Sequence, residues 1–289
     1  MRVLGISPFH DSSVAIINNG RIEYFIKEER LSGKKRDSFP HKALDFIIKN
    51  IEGDIDVAVI SSPTDDDFYN KFLAKLLRKT FNCEVIRMCH EHHLSHASLA
   101  FTNSGFQSSL VVVVDRMGSD YRPIGREAES VFKVDQEYNF ESIYKSYWLY
   151  GIGVQYDEQN FHEVEELKRE YPNCEIIADS CLSIQKVFET ATNLIGQSTL
   201  EGGKTMGLAA YGKNKKFKDL FIDGIPNNNL FTHLSGDETQ GAILKEYYHH
   251  RIDLDAPLPK DGYELYADYA YQVQKQTQNE VLALIKRKV

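Results

Sequence analysis

The chain has 289 residues, 42% of them hydrophobic and 26% charged, which are globular proportions and enough for one large domain or two smaller ones. A formal net charge of −8 argues against general nucleic-acid binding, which uses a basic face, and no apolar run approaches the ~18–20 residues of a membrane-spanning helix. Met1 to Ile6 reads as a strand too short for a signal-peptide core, and four cysteines without a CxxC pair fit reduced thiols in a cytoplasmic protein.

Arg2 to Ser7 and Ser13 to Ile17 are short apolar runs, and Arg21 to Lys27 alternates as a third strand. Asn18-Asn19-Gly20 between the last two reads as a tight hairpin turn, because Asn and Gly accept positive φ. Pro40 opens a helix through Asn50, with Ala43, Leu44, Phe46, Ile47 and Ile48 on its apolar stripe. A strand over Asp56 to Ser61, a helix over Asp66 to Thr80, a strand over Cys83 to Cys89 and a helix over Leu94 to Thr102 follow. This β-β-β-α-β-α-β-α order is that of the ribonuclease-H-like unit, which actin-like proteins contain twice. It predicts an α/β fold with a mixed sheet, a hairpin edge and covering helices.

Leu110 to Asp115 is a strand whose four valines predict burial on both faces. It opens a second unit, with strands over Glu129 to Val134 and Ser142 to Tyr150. A helix-rich stretch runs from Asp157 to Ile195, and the polar segment Lys213 to Pro259 reads as an irregular insertion. One long helix covers Tyr263 to Lys288. The expected division is 1–108 for a complete first unit and 109–289 for a partial second unit. The strand and glycine-rich loop that would complete the second unit are expected beyond Val289.

The segment Cys89-His90-Glu91-His92-His93-Leu94-Ser95-His96-Ala97 holds four histidines. On a helix, His92 and His96 at i, i+4 share one face and can hold one ion, and imidazoles suit iron, zinc and similar divalent metals. Asp115, at a strand end that faces the ligand side of such sheets, supplies a candidate third ligand. The bland alternative is a pair of histidines on an exposed helix, with His90 and His93 as bystanders.

Glu201-Gly202-Gly203-Lys204-Thr205-Met206-Gly207-Leu208-Ala209-Ala210-Tyr211-Gly212 is a second concentrated signal. Its glycines can let backbone approach an anion, with Lys204 adding charge. The GxxxxGK[ST] spacing of a Walker loop is missing, and a turn leading into a helix is the favoured reading. The loop Ser7-Pro8-Phe9-His10-Asp11-Ser12-Ser13 reads equally as a phosphate loop, with His10 or Asp11 as acid or base, and as a polar hairpin turn. Lys34, Lys35 and Arg36 can bind phosphate or carboxylate, or form part of a solvated charge run.

Together these segments resemble the O-carbamoyltransferase family that modifies nodulation factors and antibiotics. The likeness is to its N-terminal domain, which is similar to the tRNA threonylcarbamoyl-transfer protein. It rests on Gly5-Ile6-Ser7 with His10-Asp11-Ser12-Ser13; Glu28-Glu29-Arg30 with Lys35, Asp37, Phe39 and Pro40; His92-His93-Leu94-Ser95-His96-Ala97; Asp115; and Glu201-Gly202 with Lys204, Met206-Gly207-Leu208-Ala209 and Tyr211-Gly212. The resemblance implies formation of carbamoyl-adenylate from carbamoyl phosphate and ATP, and transfer of the carbamoyl group to an acceptor hydroxyl on a sugar, an antibiotic or a nucleotide. It places a divalent metal, typically iron, on His92, His96 and Asp115, and puts His10 and Asp11 near the transferring centre. Ser12, Ser13, Lys35, Lys204 and Gly207 become contacts to the nucleotide or acyl group.

Two departures stand against the family pattern. Asp115-Arg116-Met117-Gly118 replaces the usual Asp-Gly-x-Gly, which puts the phosphate approach in doubt. The family's second nucleotide loop, last metal aspartate and carbamoyl-phosphate-processing domain are expected past Val289, in a downstream carbamoyltransferase half. Weak or absent metal in this chain by itself is the corresponding expectation. The competing readings are an actin-like ATPase or kinase, and a catalytically degenerate or split-partner binding protein.

Overall fold

A computed structural model describes residues 1–62, 67–115, 118–121, 125–149, 158–179, 183–198, 201–214, 219–227, 231–233, 242–244 and 263–289. Two compact units divide the chain: Met1–Leu99 with Gly118–Asp120, and Ala100–Met117 with Tyr121–Val289.

The first unit contains β1 (Arg2–Ser7), β2 (Ser13–Asn18), β3 (Arg21–Lys27), α1 (Glu28–Ser32), α2 (His41–Asn50), β4 (Val57–Ser62), α3 (Asp67–Phe81) and β5 (Glu84–Cys89). The helix α4 (His92–Ser104) follows. The sheet order is β3-β2-β1-β4-β5. Its first three strands are antiparallel, and β1, β4 and β5 are parallel. This is the mixed sheet of a ribonuclease-H-like unit. Asn19 and Gly20 both take positive φ at the β2–β3 turn, which matches the strand twist there. One sheet face carries Leu4, Ile6, Val14, Ile16, Ala58, Ile60 and Val85, and packs with Ala43, Leu44 and Ile47 of α2 and Leu73, Ala74 and Leu77 of α3. The edge strand β3 leaves Ile22 and Phe25 largely exposed.

After β3 the chain turns at once into the short helix α1. Gly33 ends that turn in the left-handed region and returns its N–H to the Glu29 carbonyl, the usual role of a glycine past a helix end. Glu28 is buried, and its two carboxylate oxygens accept from the backbone N–H groups of Lys42 at 3.1 Å and Ala43 at 2.9 Å. Pro40, the residue before α2, gives no side-chain cap, so Glu28 satisfies orphan donors from outside the helix. Glu28→Ala is expected to lower stability by about 1 kcal/mol, read as a shift in the urea midpoint, with Glu28→Gln retaining part of the loss.

The second unit contains β6 (Ser109–Val114), β8 (Gly125–Val134), β9 (Phe140–Leu149), α5 (Glu158–Glu170), β10 (Glu175–Asp179), α6 (Ile184–Leu194), α7 (Gly202–Ala209) and α8 (Tyr263–Lys288), after a two-residue β7 (Asp120–Tyr121). Its sheet order is β10-β9-β8-β6. The β6-β8-β9 meander is antiparallel, and β10 joins β9 in parallel. The meander repeats the start of the first sheet. Its fourth strand does not, because β10 adds beside the third strand whereas β4 adds beside β1. This makes the second unit a partial copy among the described residues. The stretch expected to be helix-rich over 157–195 therefore contains a strand, whose position is set by pairing with β9.

Burial alternates along β6, with Val111 and Val113 buried. The opposite face is half-covered, with Leu110 and Val112 packed by Leu284 of α8. Val187, Phe188 and Ala191 of α6, Ala209 of α7, and Tyr266, Tyr269, Ala270 and Val273 of α8 form a helical core. The expected long helix is present over its full predicted span. Within 213–259 the described residues form two small hairpins, β11 (Phe221–Ile222) with β12 (Ile225–Pro226), and β13 (Phe231–His233) with β14 (Ala242–Leu244).

The unit division falls inside α4, upstream of the step at 108/109 read from the sequence. Phe101, on the later turns of this helix, packs edge-to-face on Tyr138 at 5.4 Å and Phe140 at 6.0 Å. That aromatic contact places the end of α4 with the strands that follow it. No helix among the described residues is long and apolar enough to cross a membrane.

Candidate metal centre

The three parallel strands β1, β4 and β5 end at Ser7, Ser62 and Cys89 on one edge of the first sheet. Ligand sites in α/β sheets form outside such carboxyl ends. The chain leaves β5 through His90, whose φ is +67°, and turns directly into α4 at His92. Ser61 and Ser95 hydroxyls meet at 2.9 Å, tying β4 to the first turn of that helix. The buried Ser119 hydroxyl accepts the His92 N–H at 3.0 Å.

One helical turn then brings His92 and His96 together. Their Nε2 atoms lie 3.0 Å apart, with ring centroids at 4.5 Å and an interplanar angle of 87°. Metal–nitrogen bonds of ~2.0–2.1 Å put two nitrogens on one ion about 2.9–3.4 Å apart for ordinary bond angles. The pair therefore has the spacing of two ligands of one ion. Asp115 lies on the same continuous segment, just past β6, with its N–H bonded to the Ala128 carbonyl at 3.0 Å. Asp115 belongs to the second unit, where it is the third ligand that the sequence reading adds. Two neutral imidazoles and a carboxylate suit a divalent transition metal. Arg116, the departure from the family pattern, lies outside the described residues.

The N-terminal loop gathers a second polar cluster. Asp11 takes φ +58°. Its carboxylate meets His10 Nδ1 at 3.2 Å and Lys27 Nζ at 3.2 Å, and Lys27 also pairs with Glu29 at 3.4 Å. Burial alone raises the Asp11 carboxyl, but the bonds to His10 and Lys27 and the Lys27 charge outweigh it, and the net value falls below the ordinary 3.8. Asp11 is thus an ionised partner for Lys27 rather than a base poised near neutrality. A carboxyl lowered by folding stabilises the fold above its ordinary value, and the contribution fades as pH falls through the lowered one. Asp11→Asn is expected to reduce the urea midpoint at neutral pH, with the gap to wild type closing below pH 3.8.

The other candidate contacts sit on several elements. Ser12 is fully buried, continuing inward from Val14 and Ile16, with its backbone bonded to Asp37 and Glu28. Ser13 sits on the opposite face, opposite Lys27 in the sheet register. Phe39 N–H reaches the Pro8 carbonyl at 3.0 Å, so the loop holding exposed Lys35 is stitched to the loop holding His10. Lys204 and Gly207 lie within α7 in the second unit. Lys204 pairs with Glu201 at 2.5 Å, and its hydrogen bond is the main cause pulling the Glu201 carboxyl below the ordinary range. The glycine-rich stretch is therefore a helix entered from Glu201, as the favoured alternative had it.

Lys27, bonded to Asp11, and Ser119, bonded to the His92 N–H, are neighbours of the candidate residues that the sequence motifs do not mark. Strand alternation placed Lys27 beside the loop after β1, but Ser119 reaches His92 across a separation that no local pattern reveals.

Neither a known protein-family profile nor a curated protein matches the chain. Among solved structures it is similar to full-length HypF in its phosphate- and nucleotide-bound form, with 14% identity and a TM-score of 0.45. The match covers 100% of this chain and 46% of HypF, so the chain spans less than half of that protein's length.

Proposed function

We propose that this chain is the metal-binding N-terminal part of an O-carbamoyltransferase. The observation that carries the reading is the paired His92 and His96 Nε2 atoms at 3.0 Å on one turn of α4. Family resemblance supplies the chemistry: carbamoyl-adenylate, made from carbamoyl phosphate and ATP, gives its carbamoyl group to an acceptor hydroxyl, and AMP leaves. A divalent metal, iron by that resemblance, supplies polarisation of the carbonyl and orientation of the phosphate when bound. His92 and His96 would hold it, with Asp115 as the third ligand by the same resemblance.

The chain's own residues divide the remaining work. His10 is largely exposed beside Asp11 and serves as the proton acceptor for the incoming hydroxyl. Asp11, held ionised by Lys27, orients that imidazole through the 3.2 Å contact at Nδ1. Lys35 in the neighbouring loop offers charge to the phosphate or carbamoyl oxygens. Ser13, Lys204 and Gly207 remain candidate contacts to the nucleotide, and Ser12 supports the loop from inside.

The chemistry is tested by carbamoyl-phosphate-dependent release of AMP and pyrophosphate, for this chain alone and with the polypeptide encoded next to it. Acceptor-dependent release in the combined sample that is lost in His10→Ala supports the reading. Metal binding without any such release favours a binding protein that retains the fold.

A further inference from the structure

The strand β8 slips register against β9 beside Asp115. Glu127 stands opposite Tyr147 and Glu129 opposite Ser146, so Ala128 is the extra residue of a bulge. On its other side β8 pairs with β6, where Val114 stands opposite Glu129. The next residue, Asp115, gives its N–H to the carbonyl of the bulged Ala128. The extra residue thus holds the backbone of the candidate ligand. Bulges often re-aim a side chain next to a site.

One buried carboxylate pins this bulge. Glu129 is 4% exposed. The Ser146 hydroxyl accepts the Glu129 N–H at 3.0 Å and donates to the same residue's carboxylate. The second carboxylate oxygen accepts the N–H of Ile184 at 2.8 Å. Ile184 is the first residue of α6, where Ser183 already caps Lys186. An acid at the start of this helix satisfies an orphan N–H and meets the positive end of its dipole. Backbone and side chain of Glu129 are therefore both fixed where the register slips.

We propose that Glu129 is a positioning residue for the metal centre: clamped by Ser146 and the start of α6, it fixes the Ala128 bulge and so the backbone from which the Asp115 carboxylate projects. Glu129 acts through Asp115 and is not itself a ligand. The inference rests on the metal reading above for its purpose, but its structural content is separately measurable.

The test uses Glu129→Ala, Glu129→Gln, Asp115→Ala and the Glu129→Ala/Asp115→Ala double variant, with two readouts. The first is amide hydrogen exchange at Asp115 in the metal-free protein. Glu129→Ala is expected to speed it about tenfold or more, for a loss of a bond fixed by the bulge, while amides of β1 to β5 keep their rates. Glu129→Gln, which keeps an acceptor for Ile184, restores most of the protection. The second readout is cobalt(II) affinity, expected to fall about 10–100-fold in Glu129→Ala and no further when Asp115 is already Ala. Unchanged exchange at Asp115, or an equal loss of affinity in the Asp115→Ala background, overturns the proposal. If Glu129→Ala does not fold, Ser146→Ala makes the same comparison, with the same expected and overturning results. Failure of the wild type to bind cobalt both alone and with the polypeptide encoded next to it would refute the metal reading, and exchange at Asp115 would still decide whether Glu129 sets that residue.

Discussion

Replacing His92 or His96 by alanine is expected to lower cobalt(II) affinity at least ~100-fold, about 2.7 kcal/mol. Each imidazole supplies one of two nitrogens held 3.0 Å apart by a single turn of α4, and a lone histidine lacks the geometry that makes the pair a chelate. Asp115→Ala removes the proposed third ligand and is expected to weaken binding while leaving the two-nitrogen spectrum of cobalt recognisable. His10→Ala leaves affinity unchanged, because its partner is Asp11. Binding should also weaken on acidification, since the ligand form of imidazole is neutral. Titration of the visible cobalt bands reads all four effects. Wild-type affinity in both histidine variants would remove the ligand assignment.

The second large effect is structural. A Cβ added to Gly212 would lie 2.0 Å from the Ala267 carbonyl oxygen, 2.6 Å from its carbon and 2.7 Å from Tyr271 Cβ. Two of those atoms are backbone of α8, so no rotamer change relieves the clash. Gly212 follows α7, and its neighbour Lys213 gives its N–H to buried Asp268 at 2.6 Å. The chain must therefore pass against α8 at this point. Gly212→Ala is expected to cost ~3 kcal/mol, at the upper end for overpacking, read by urea unfolding. Gly203→Ala makes the contrast: its added Cβ meets nothing within 4 Å. Inside α7 the substitution should stabilise by about 0.5–1 kcal/mol. Equal midpoints for the two variants would show that α7 does not approach α8 this closely.

Local chemistry made much of the first unit legible. Asn19-Gly20 announced its hairpin because only such residues accept two successive positive φ values cheaply. The i, i+4 spacing of His92 and His96 announced a shared helix face, and the helix begins at His92 itself. The strand β10 was hidden inside an expected helical stretch because its partner β9 lies far earlier in the chain. The same separation concealed Ser119 beneath His92 and the Ala128 bulge beneath Asp115. Glu28 entered the sequence reading only through the Glu28-Glu29-Arg30 motif, although burial and two backbone donors make it a helix cap. Composition and period report which face is apolar, whereas such pairings depend on the chain's return path.

The edge strand β3 has a consequence for handling the protein. Its outer backbone offers unpaired donors and acceptors among the described residues, and Ile22 and Phe25 stand 72% and 63% exposed along it. Such an edge templates sheet extension between molecules. Arg21, Glu23 and Lys27 lie along the same strand and oppose that stacking by charge. The balance weakens as salt screens those charges, so colloidal stability at high concentration depends on ionic strength through this one strand.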